Sequence, residues 1–199
     1  MIVTLQLAPG AVVSEAELSE RLGIGRTPIR EALQRLARER LVNILPRRGV
    51  MVSEINVKSQ LRLLEVRREL ERLISRSAAR RATASERDAF RRLADAFEAS
   101  AAANDDVTFM RTDREFNSLQ AAATHNEFAI GAMTLLHGLS RRFWYIHYKQ
   151  AADMPLTAQL HAAIARAIAD ADEAGAARAT DKLVDAIERF TRDSVDADA

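Results

Sequence analysis

The spacing of apolar residues divides the chain into a short first part of mixed elements and a longer second part made of helices. Two short helical patterns come first, followed by two apolar, β-branched runs, Leu41–Leu45 and Val50–Val52, which predict strands. From Val57 onward, apolar residues recur at helical spacing and predict a bundle of about six helices. The predicted fold is mainly α, with one domain over residues 1–56 and an all-α domain over residues 57–199.

Local signals mark the start and the end of the first helix. Ser14 precedes an apolar periodic run and Glu17 follows three residues later, so the two can form a capping box. A helix is therefore predicted from about Glu15 to Leu22. The sequence Gly23-Ile24-Gly25 then predicts a sharp turn, because glycine readily adopts the left-handed backbone angles that such a turn needs.

A second helix is predicted after this turn and extends to about Arg38. Thr27 is a good N-cap, and Pro28 suits the first helical position. Arg26 and Arg30 project from its exposed N-terminal end, the part of a recognition helix that reaches base edges in the major groove. A bidentate contact from arginine to guanine O6 and N7 contributes roughly 1 to 3 kcal/mol of discrimination. The pattern predicts a DNA-reading helix-turn-helix, although other helical proteins also contain helix pairs.

The two apolar runs after the second helix predict a basic β-hairpin. The sequence Pro46-Arg47-Arg48-Gly49 separates them and has the residue types of a turn. The hairpin is predicted to be a two-stranded wing with two arginines at its tip. We expect this tip to contact the DNA backbone or the minor groove.

Composition limits the classes of protein to which the chain can belong. With 199 residues, 48% of them hydrophobic, it can bury one sizeable core, or a small domain beside a larger one. The absence of cysteine excludes disulfides, thiolate metal sites and thiol nucleophiles. No apolar run is long enough to span a membrane and no signal-peptide pattern is present, so we expect a cytoplasmic protein without a membrane partner.

Charge is distributed unevenly along the chain. The formal net charge of the whole chain is only +1. Residues 1–56 contain eight arginines and no lysine against six glutamates, and most of these arginines lie on the second helix or the predicted wing. Cations clustered on one face raise the affinity for phosphates, with a steep dependence on salt. We therefore expect double-stranded DNA to be a partner.

The residues from Leu7 to Gly49 resemble the winged-helix half of the GntR family of bacterial transcription regulators. The likeness lies in Ala8-Pro9-Gly10, Leu22-Gly23-Ile24, Arg26-Thr27-Pro28-Ile29-Arg30-Glu31-Ala32-Leu33 and Arg47-Arg48-Gly49. The predicted DNA contacts are Arg26, Thr27, Arg30, Arg47, Arg48 and Gly49. Ala16 and Gly25 depart from the family, which often has an arginine and a hydroxyl residue there. The family usually has a full helix where only Met1 to Gln6 stand, which predicts a truncated or misassigned start.

The second part resembles the FCD-type domain of the FadR-type branch of that family, which binds an effector and dimerises. The likeness lies in Glu65–Glu71, Asp113–Asn117 and Leu160–Ile164. It implies a homodimeric regulator, usually a repressor, that binds a DNA operator and a small-molecule effector, commonly a carboxylate. The predicted effector-binding residues are Arg67, Asp113, Asn117 and His161. An enzyme is not expected, because no nucleophile or phosphate-binding loop accompanies an acid–base pair of Asp113 and His161.

The same resemblance implies a divalent metal site. Its ligands would be an aspartate, a histidine four residues later and one histidine on each of the last two long helices, a set that suits zinc or nickel. Asp113 and His161 match this set, whereas Asn117 and a residue at or near Leu183 replace the other two histidines. The metal site is therefore predicted to be incomplete. A hydrogen-bonded core histidine is the alternative for His161, and His147 is a further candidate ligand.

The sequence leaves alternatives open for other residues of the second part. Arg67 can fork onto an effector carboxylate, or it can form an i,i+4 ion pair with Glu71 on a solvated face. An aromatic cluster on the fourth long helix can line the effector cavity or belong to the core or a dimer interface; it comprises Phe143, Trp144, Tyr145 and Tyr148. The alternatives for the function are a metal-dependent regulator of the same family and a constitutive DNA-binding dimer without an effector.

Overall fold

The computed structural model describes residues 1–151 and 153–196, and the side chains of residues 148–151 and 195–196 lie outside this description. The chain forms two compact units. The N-terminal unit contains Met1–Gln60 and Thr134–Tyr148, and the bundle unit contains Leu61–Met133 and the described residues from Lys149 onward. Each unit has its own apolar core.

In the N-terminal unit, helices α1 (Glu15–Leu22) and α2 (Arg26–Arg38) lie between strands β1 (Val12–Val13) and β2 (Val42–Leu45), and strand β3 (Gly49–Val52) follows. The strands pair antiparallel in the order β1-β3-β2. Val50 of β3 is opposite Val13 of β1 on one side and opposite Ile44 of β2 on the other. The predicted wing is therefore confirmed, and the short strand β1 adds to it a third strand that the sequence did not predict.

The predicted capping box at the start of α1 is confirmed. The Glu17 backbone N–H donates to the Ser14 Oγ at 3.0 Å, and the Glu17 carboxylate accepts from the Ser14 backbone N–H. Gly23 ends the helix in the left-handed conformation with φ 64°.

The prediction that Thr27 is the N-cap of the second helix is wrong, because α2 begins at Arg26 and its N-cap is Gly25. Pro28 consequently stands at the third helical position. A proline is tolerated there because the first backbone N–H groups of a helix have no acceptor within the helix.

The six predicted long helices are confirmed. The helices are α3 (Val57–Arg81), α4 (Ala84–Ala103), α5 (Asp106–Ala123), α6 (Glu127–Ala151), α7 (Met154–Ala169) and α8 (Glu173–Asp196). Pro155 lies in the first turn of α7, which Asp153 caps. In the described residues, no helix combines the length and the apolar character that a membrane span requires.

The core of the bundle unit is built around phenylalanine rings and small residues. Phe116 lies edge-on to Phe90 and Phe97, with ring centroids 6.0 and 5.7 Å apart. Ala94 and Ala165 are fully buried beside these rings, on α4 and α7. Small side chains let helices approach closely, so the core can hold α4, α5, α7 and α8 together. The polar residues of α5 and α7 are thereby held in fixed positions.

Candidate DNA-binding surface and candidate effector site

The N-terminal end of α2 presents three polar side chains to solvent. Arg26, Thr27 and Arg30 are exposed, whereas Ile29 and Leu33 of the same helix are buried in the core of the N-terminal unit. The apolar residues fix the rotation of the helix about its axis. The predicted base-reading residues therefore share one exposed end of an anchored helix.

Arg30 makes a bidentate ion pair that the sequence analysis missed. Its Nε donates to Glu15 Oε1 at 2.9 Å, and its Nη2 donates to Glu15 Oε2 at 2.7 Å. The hydrogen bond from Arg30 lowers the pKa of the Glu15 carboxyl below its usual value, and the same bond raises the pKa of Arg30. Arg26 also lowers the pKa of Glu15 through its charge. Glu15 thus lies among the cations of the predicted reading helix.

The tip of the wing carries two exposed arginines on a turn with unusual backbone angles. Arg47 and Arg48 are exposed, and Arg47 has a φ of 62°. Gly49 has a φ of 102°, and a Cβ at this position would lie 2.6 Å from the carbonyl oxygen of Val13. Only glycine fits this position, where β1 and β3 approach closely. Gly49 thus shapes the turn that displays the two arginines.

In the bundle unit, the structure brings three of the four predicted effector-binding residues together. His161 Nε2 on α7 lies 3.2 Å from Asp113 Oδ1 on α5. The Asn117 side-chain amide donates to the same Oδ1 at 2.9 Å and to the Asp113 backbone carbonyl at 2.8 Å. The His161 Nδ1 lies 2.8 Å from the Thr157 carbonyl oxygen. Both ring nitrogens of His161 therefore face an acceptor, which suits the doubly protonated imidazolium.

The surroundings of His161 are aromatic. Its ring centroid lies 5.1 Å from that of Phe97 and 5.7 Å from those of Phe109 and Phe116. Burial opposes the charged form of the ring, but the hydrogen bond and the charge of Asp113 outweigh it and raise the pKa of His161. His161 is therefore a buried titratable group with aromatic neighbours and a specific carboxylate partner.

Arg67, the fourth predicted effector-binding residue, is paired with Glu71 on the same helix. The guanidinium donates through both Nε and Nη2 to Glu71 Oε1, with the Nε contact at 2.9 Å. Each of the two side chains is only 12% exposed. The i,i+4 ion pair considered from the sequence is thus present, but it is mostly buried and does not lie on a solvated face. Glu71 also contributes to the raised pKa of His161 through its charge.

A buried polar group in the same unit was not predicted. Ser75 Oγ lies 2.6 Å from Thr180 Oγ1, and the Gln120 side-chain amide donates to Ser75 Oγ at 2.9 Å. Ser75 follows Glu71 by one helical turn on α3, and Gln120 follows Asn117 by three residues on α5. The signal in the sequence was the recurrence of polar residues at helical spacing along these two helices.

The aromatic cluster of α6 lies in the N-terminal unit. Phe143 is buried and stacks on His147, with ring centroids 4.5 Å apart, whereas Tyr145 is 42% exposed. The side chain of Tyr148 lies outside the described residues. The proposal that His147 replaces a missing metal ligand gains no support from this arrangement, because its ring packs on Phe143.

Two protein-family models match the chain. Residues 62–186 match the FCD domain, and residues 1–52 match the family described as bacterial regulatory proteins, gntR family. The chain belongs to the FCD-domain family, and its first 52 residues match the gntR family. The gntR match covers both the exposed end of α2 and the wing, which thus belong to one DNA-binding, helix-turn-helix segment. The FCD match covers Asp113, Asn117 and His161.

The relatives of the chain include named transcriptional regulators. The Nta operon transcriptional regulator of Aminobacter aminovorans is 27% identical over 177 residues, which cover 87% of this chain and 80% of that protein. The HTH-type transcriptional repressor RspR of Escherichia coli is 36% identical over 85 residues, which cover 43% of this chain and only 37% of RspR. The solved structure of E. coli McbR/YncC shares the fold, with a TM-score of 0.81, 18% identity and coverage of 98% of this chain and 92% of that one.

The residues present do not fit the metal site that the FCD resemblance implies. Asp113 and His161 are adjacent, but the amide of Asn117 uses its donor face toward Asp113, and Leu183 is an apolar core residue with 5% exposure. Within residues 1–151 and 153–196, no group of three or more His, Cys, Asp or Glu side chains could hold an ion. Tight zinc sites use four such ligands or three with an open position. One carboxylate and one imidazole fall short of either set.

Proposed function

We propose that this protein is a transcriptional repressor of the FadR-type branch, that it reads a DNA operator with α2 and the wing, and that a small carboxylate effector controls it. The observation that carries the proposal is the exposed cluster of Arg26, Thr27 and Arg30 at the start of α2, in the segment that matches the gntR family. In the major groove, this end of the helix reaches base edges. The exposed Arg47 and Arg48, which precede Gly49, the first residue of β3, would contact the backbone or the minor groove.

The charges of the bundle unit support an anionic effector. Arg67 is a mostly buried cation paired with Glu71, and the mostly buried His161, whose pKa is raised, is paired with Asp113. A buried cation binds a new partner only if that partner replaces the carboxylate or the hydrogen bonds it loses. A small carboxylate can do so, because it accepts a bidentate arginine contact. An effector bound there would change DNA affinity through thermodynamic linkage between the two sites.

Exposed apolar residues of the bundle unit support a homodimer. Val66 and Leu73 on α3 are 52% and 46% exposed, and Phe128 on α6 is 80% exposed. The two helices are neighbours, because Leu70 and Ile74 of α3 pack in one cluster with residues of α6. We propose that a second copy of the chain covers these residues. A twofold dimer would place two recognition helices in successive major grooves of a roughly palindromic operator.

DNA binding is tested first by selecting duplexes from a random-sequence library with the wild type. Arg26→Ala and Arg30→Ala should each weaken binding to the selected duplex by about 1 to 3 kcal/mol. Arg92→Ala, which removes an exposed arginine of α4, is the matched control and should leave affinity within about twofold. Unchanged affinity and sequence preference in both α2 variants would refute the reading role of this helix.

The effector is tested with a panel of small hydroxy acids, keto acids and sugar acids. A ligand of the proposed site should raise the melting temperature of the wild type and weaken its binding to the selected duplex. Arg67→Met should abolish both effects while the variant remains folded. If the panel changes neither quantity, but selected DNA is still bound, the result favours the alternative without an effector, a constitutive DNA-binding dimer.

A further inference from the structure

We propose that Glu15 is a positioning residue that orients Arg30 for reading a base, and that it thereby raises sequence specificity at the expense of general DNA affinity. The inference rests on the proposed DNA-binding function and assigns a role to a residue outside the predicted contacts. The inference follows from the bidentate contact between the Glu15 carboxylate and the Arg30 guanidinium.

The contact is built on two anchored helices. Glu15 is the first residue of α1 and directly follows the N-cap Ser14, whose capping box fixes the start of that helix. Arg30 lies one turn into α2, directly after the buried Ile29. Two parallel hydrogen bonds between a planar carboxylate and a planar guanidinium fix the plane of the arginine. Glu15 therefore determines in which direction the remaining donors of Arg30 point.

The bonds that Glu15 makes leave the base-reading edge of Arg30 available. A guanidinium has five N–H donors. Glu15 takes one from Nε and one from Nη2, so Nη1 and the second hydrogen of Nη2 remain on the terminal edge. Two donors on one edge are what a bidentate contact with guanine O6 and N7 requires. The Arg30 side chain is 61% exposed, so this edge is open to solvent and to a duplex.

The contribution of the Glu15–Arg30 ion pair to folding stability is too small to explain its presence. Exposed ion pairs contribute little to folding, because water and salt screen them and because both side chains lose freedom. The carboxylate of Glu15 also brings a negative charge close to a surface that would meet phosphates, which opposes binding to any sequence. The two effects have opposite signs: Glu15 weakens non-specific binding and strengthens the correct base contact through a preordered Arg30. Their combined consequence is a higher ratio of specific to non-specific affinity.

The test compares wild type, Glu15→Gln, Glu15→Asp and Glu20→Gln on two duplexes. One duplex is selected by the wild type from a random library, and the other is a scrambled sequence of the same composition. Glu20 is the matched control, because it is an exposed glutamate of the same helix. Dissociation constants are measured by fluorescence anisotropy at several salt concentrations, and thermal melts verify that each variant is folded.

We expect Glu15→Gln to lower the affinity ratio of the two duplexes about five- to tenfold, with equal or tighter binding to the scrambled duplex. Glu15→Asp keeps the charge but shortens the side chain, so it should lower the ratio without tightening the scrambled complex. Glu20→Gln should keep the ratio within about twofold. A ratio unchanged in both Glu15 variants, or an equal loss on both duplexes, would overturn the inference. If the wild type selects no sequence at all, it is the proposed function that fails.

Discussion

Asp113→Asn should remove a pH-dependent part of the stability of the bundle unit. In the wild type, the ring nitrogens of His161 face Asp113 Oδ1 at 3.2 Å and the Thr157 carbonyl at 2.8 Å. A neutral imidazole has only one N–H and satisfies only one of these acceptors. The substitution replaces the carboxylate by an amide of the same size, so it removes the negative charge and keeps the volume.

The expected loss follows from the burial of the two groups. Removing one partner of a fully buried ion pair costs roughly 3 to 5 kcal/mol. The His161 side chain is 9% exposed, but that of Asp113 is 32% exposed, so water partly screens the pair. We therefore expect about 2 kcal/mol at pH 6, below the range for a fully buried pair.

The pH dependence follows from the raised pKa of His161. A group whose pKa is higher in the folded state binds more protons there, so its stabilisation is complete below the pKa of the unfolded chain, about 6.5 for histidine. The stabilisation is lost as the pH rises through the folded-state pKa. The difference in stability between wild type and Asp113→Asn should therefore shrink from pH 6 toward pH 9.

Urea denaturation from pH 5.5 to 9 measures this difference. Asp88→Asn is the control, because Asp88 forms an ion pair with Arg91 at the surface and the Asp88 side chain is 62% exposed. This control should lose less than about 0.5 kcal/mol at every pH. If the Asp113→Asn difference does not change with pH, His161 is neutral in the folded protein and the reasoning is refuted.

Three further predictions concern glycines, a helix end and the metal ligands. Gly49→Ala should lower the free energy of unfolding by about 2 to 4 kcal/mol in urea denaturation, because the backbone has φ 102° and the new Cβ would lie 2.6 Å from the carbonyl oxygen of Val13. The control Gly131→Ala should not destabilise α6, because a Cβ there would have no atom within 4 Å. Ala171→Gly should stabilise by about 0.5 to 1 kcal/mol, since this exposed alanine has φ 60°; an unchanged melting temperature would contradict this. Asn117→His combined with Leu183→His should raise zinc affinity in calorimetry, and no gain would mean that the position on α8 was misjudged.

The elements that short-range signals define could be predicted from the sequence. The capping box at Ser14 depends on residues three positions apart, and α1 begins where predicted; Thr83 and Glu86 form the same motif at the start of α4. Strand β1 has only two residues and exists through its pairing with β3, so no periodicity marks it. The start of α2 was misplaced because Pro28 is acceptable at any position of the first turn.

The candidate sites were predictable to the extent that their residues share a helix. Asp113 and Asn117 are four residues apart on α5, so their spacing places them on one face. That His161 joins them came from the family resemblance alone. The pair of Glu15 and Arg30 joins two helices across a turn, and its geometry depends on how those helices pack. Burial of Arg67 likewise depends on neighbouring helices and not on its spacing from Glu71.

The two arginine–glutamate pairs illustrate how burial changes what the same interaction can do. The pair of Arg30 and Glu15 is 61% and 30% exposed, so a base can reach the donors that Glu15 leaves available while the pair stays in place. The pair of Arg67 and Glu71 is 12% exposed on both sides, so a ligand that displaced Glu71 would have to supply a replacement for its charge. A neutral ligand would leave a buried guanidinium without that carboxylate, at a cost of several kcal/mol, roughly 3 to 5 for a fully buried pair. A carboxylate avoids this cost, and for this reason the proposed effector is an anion.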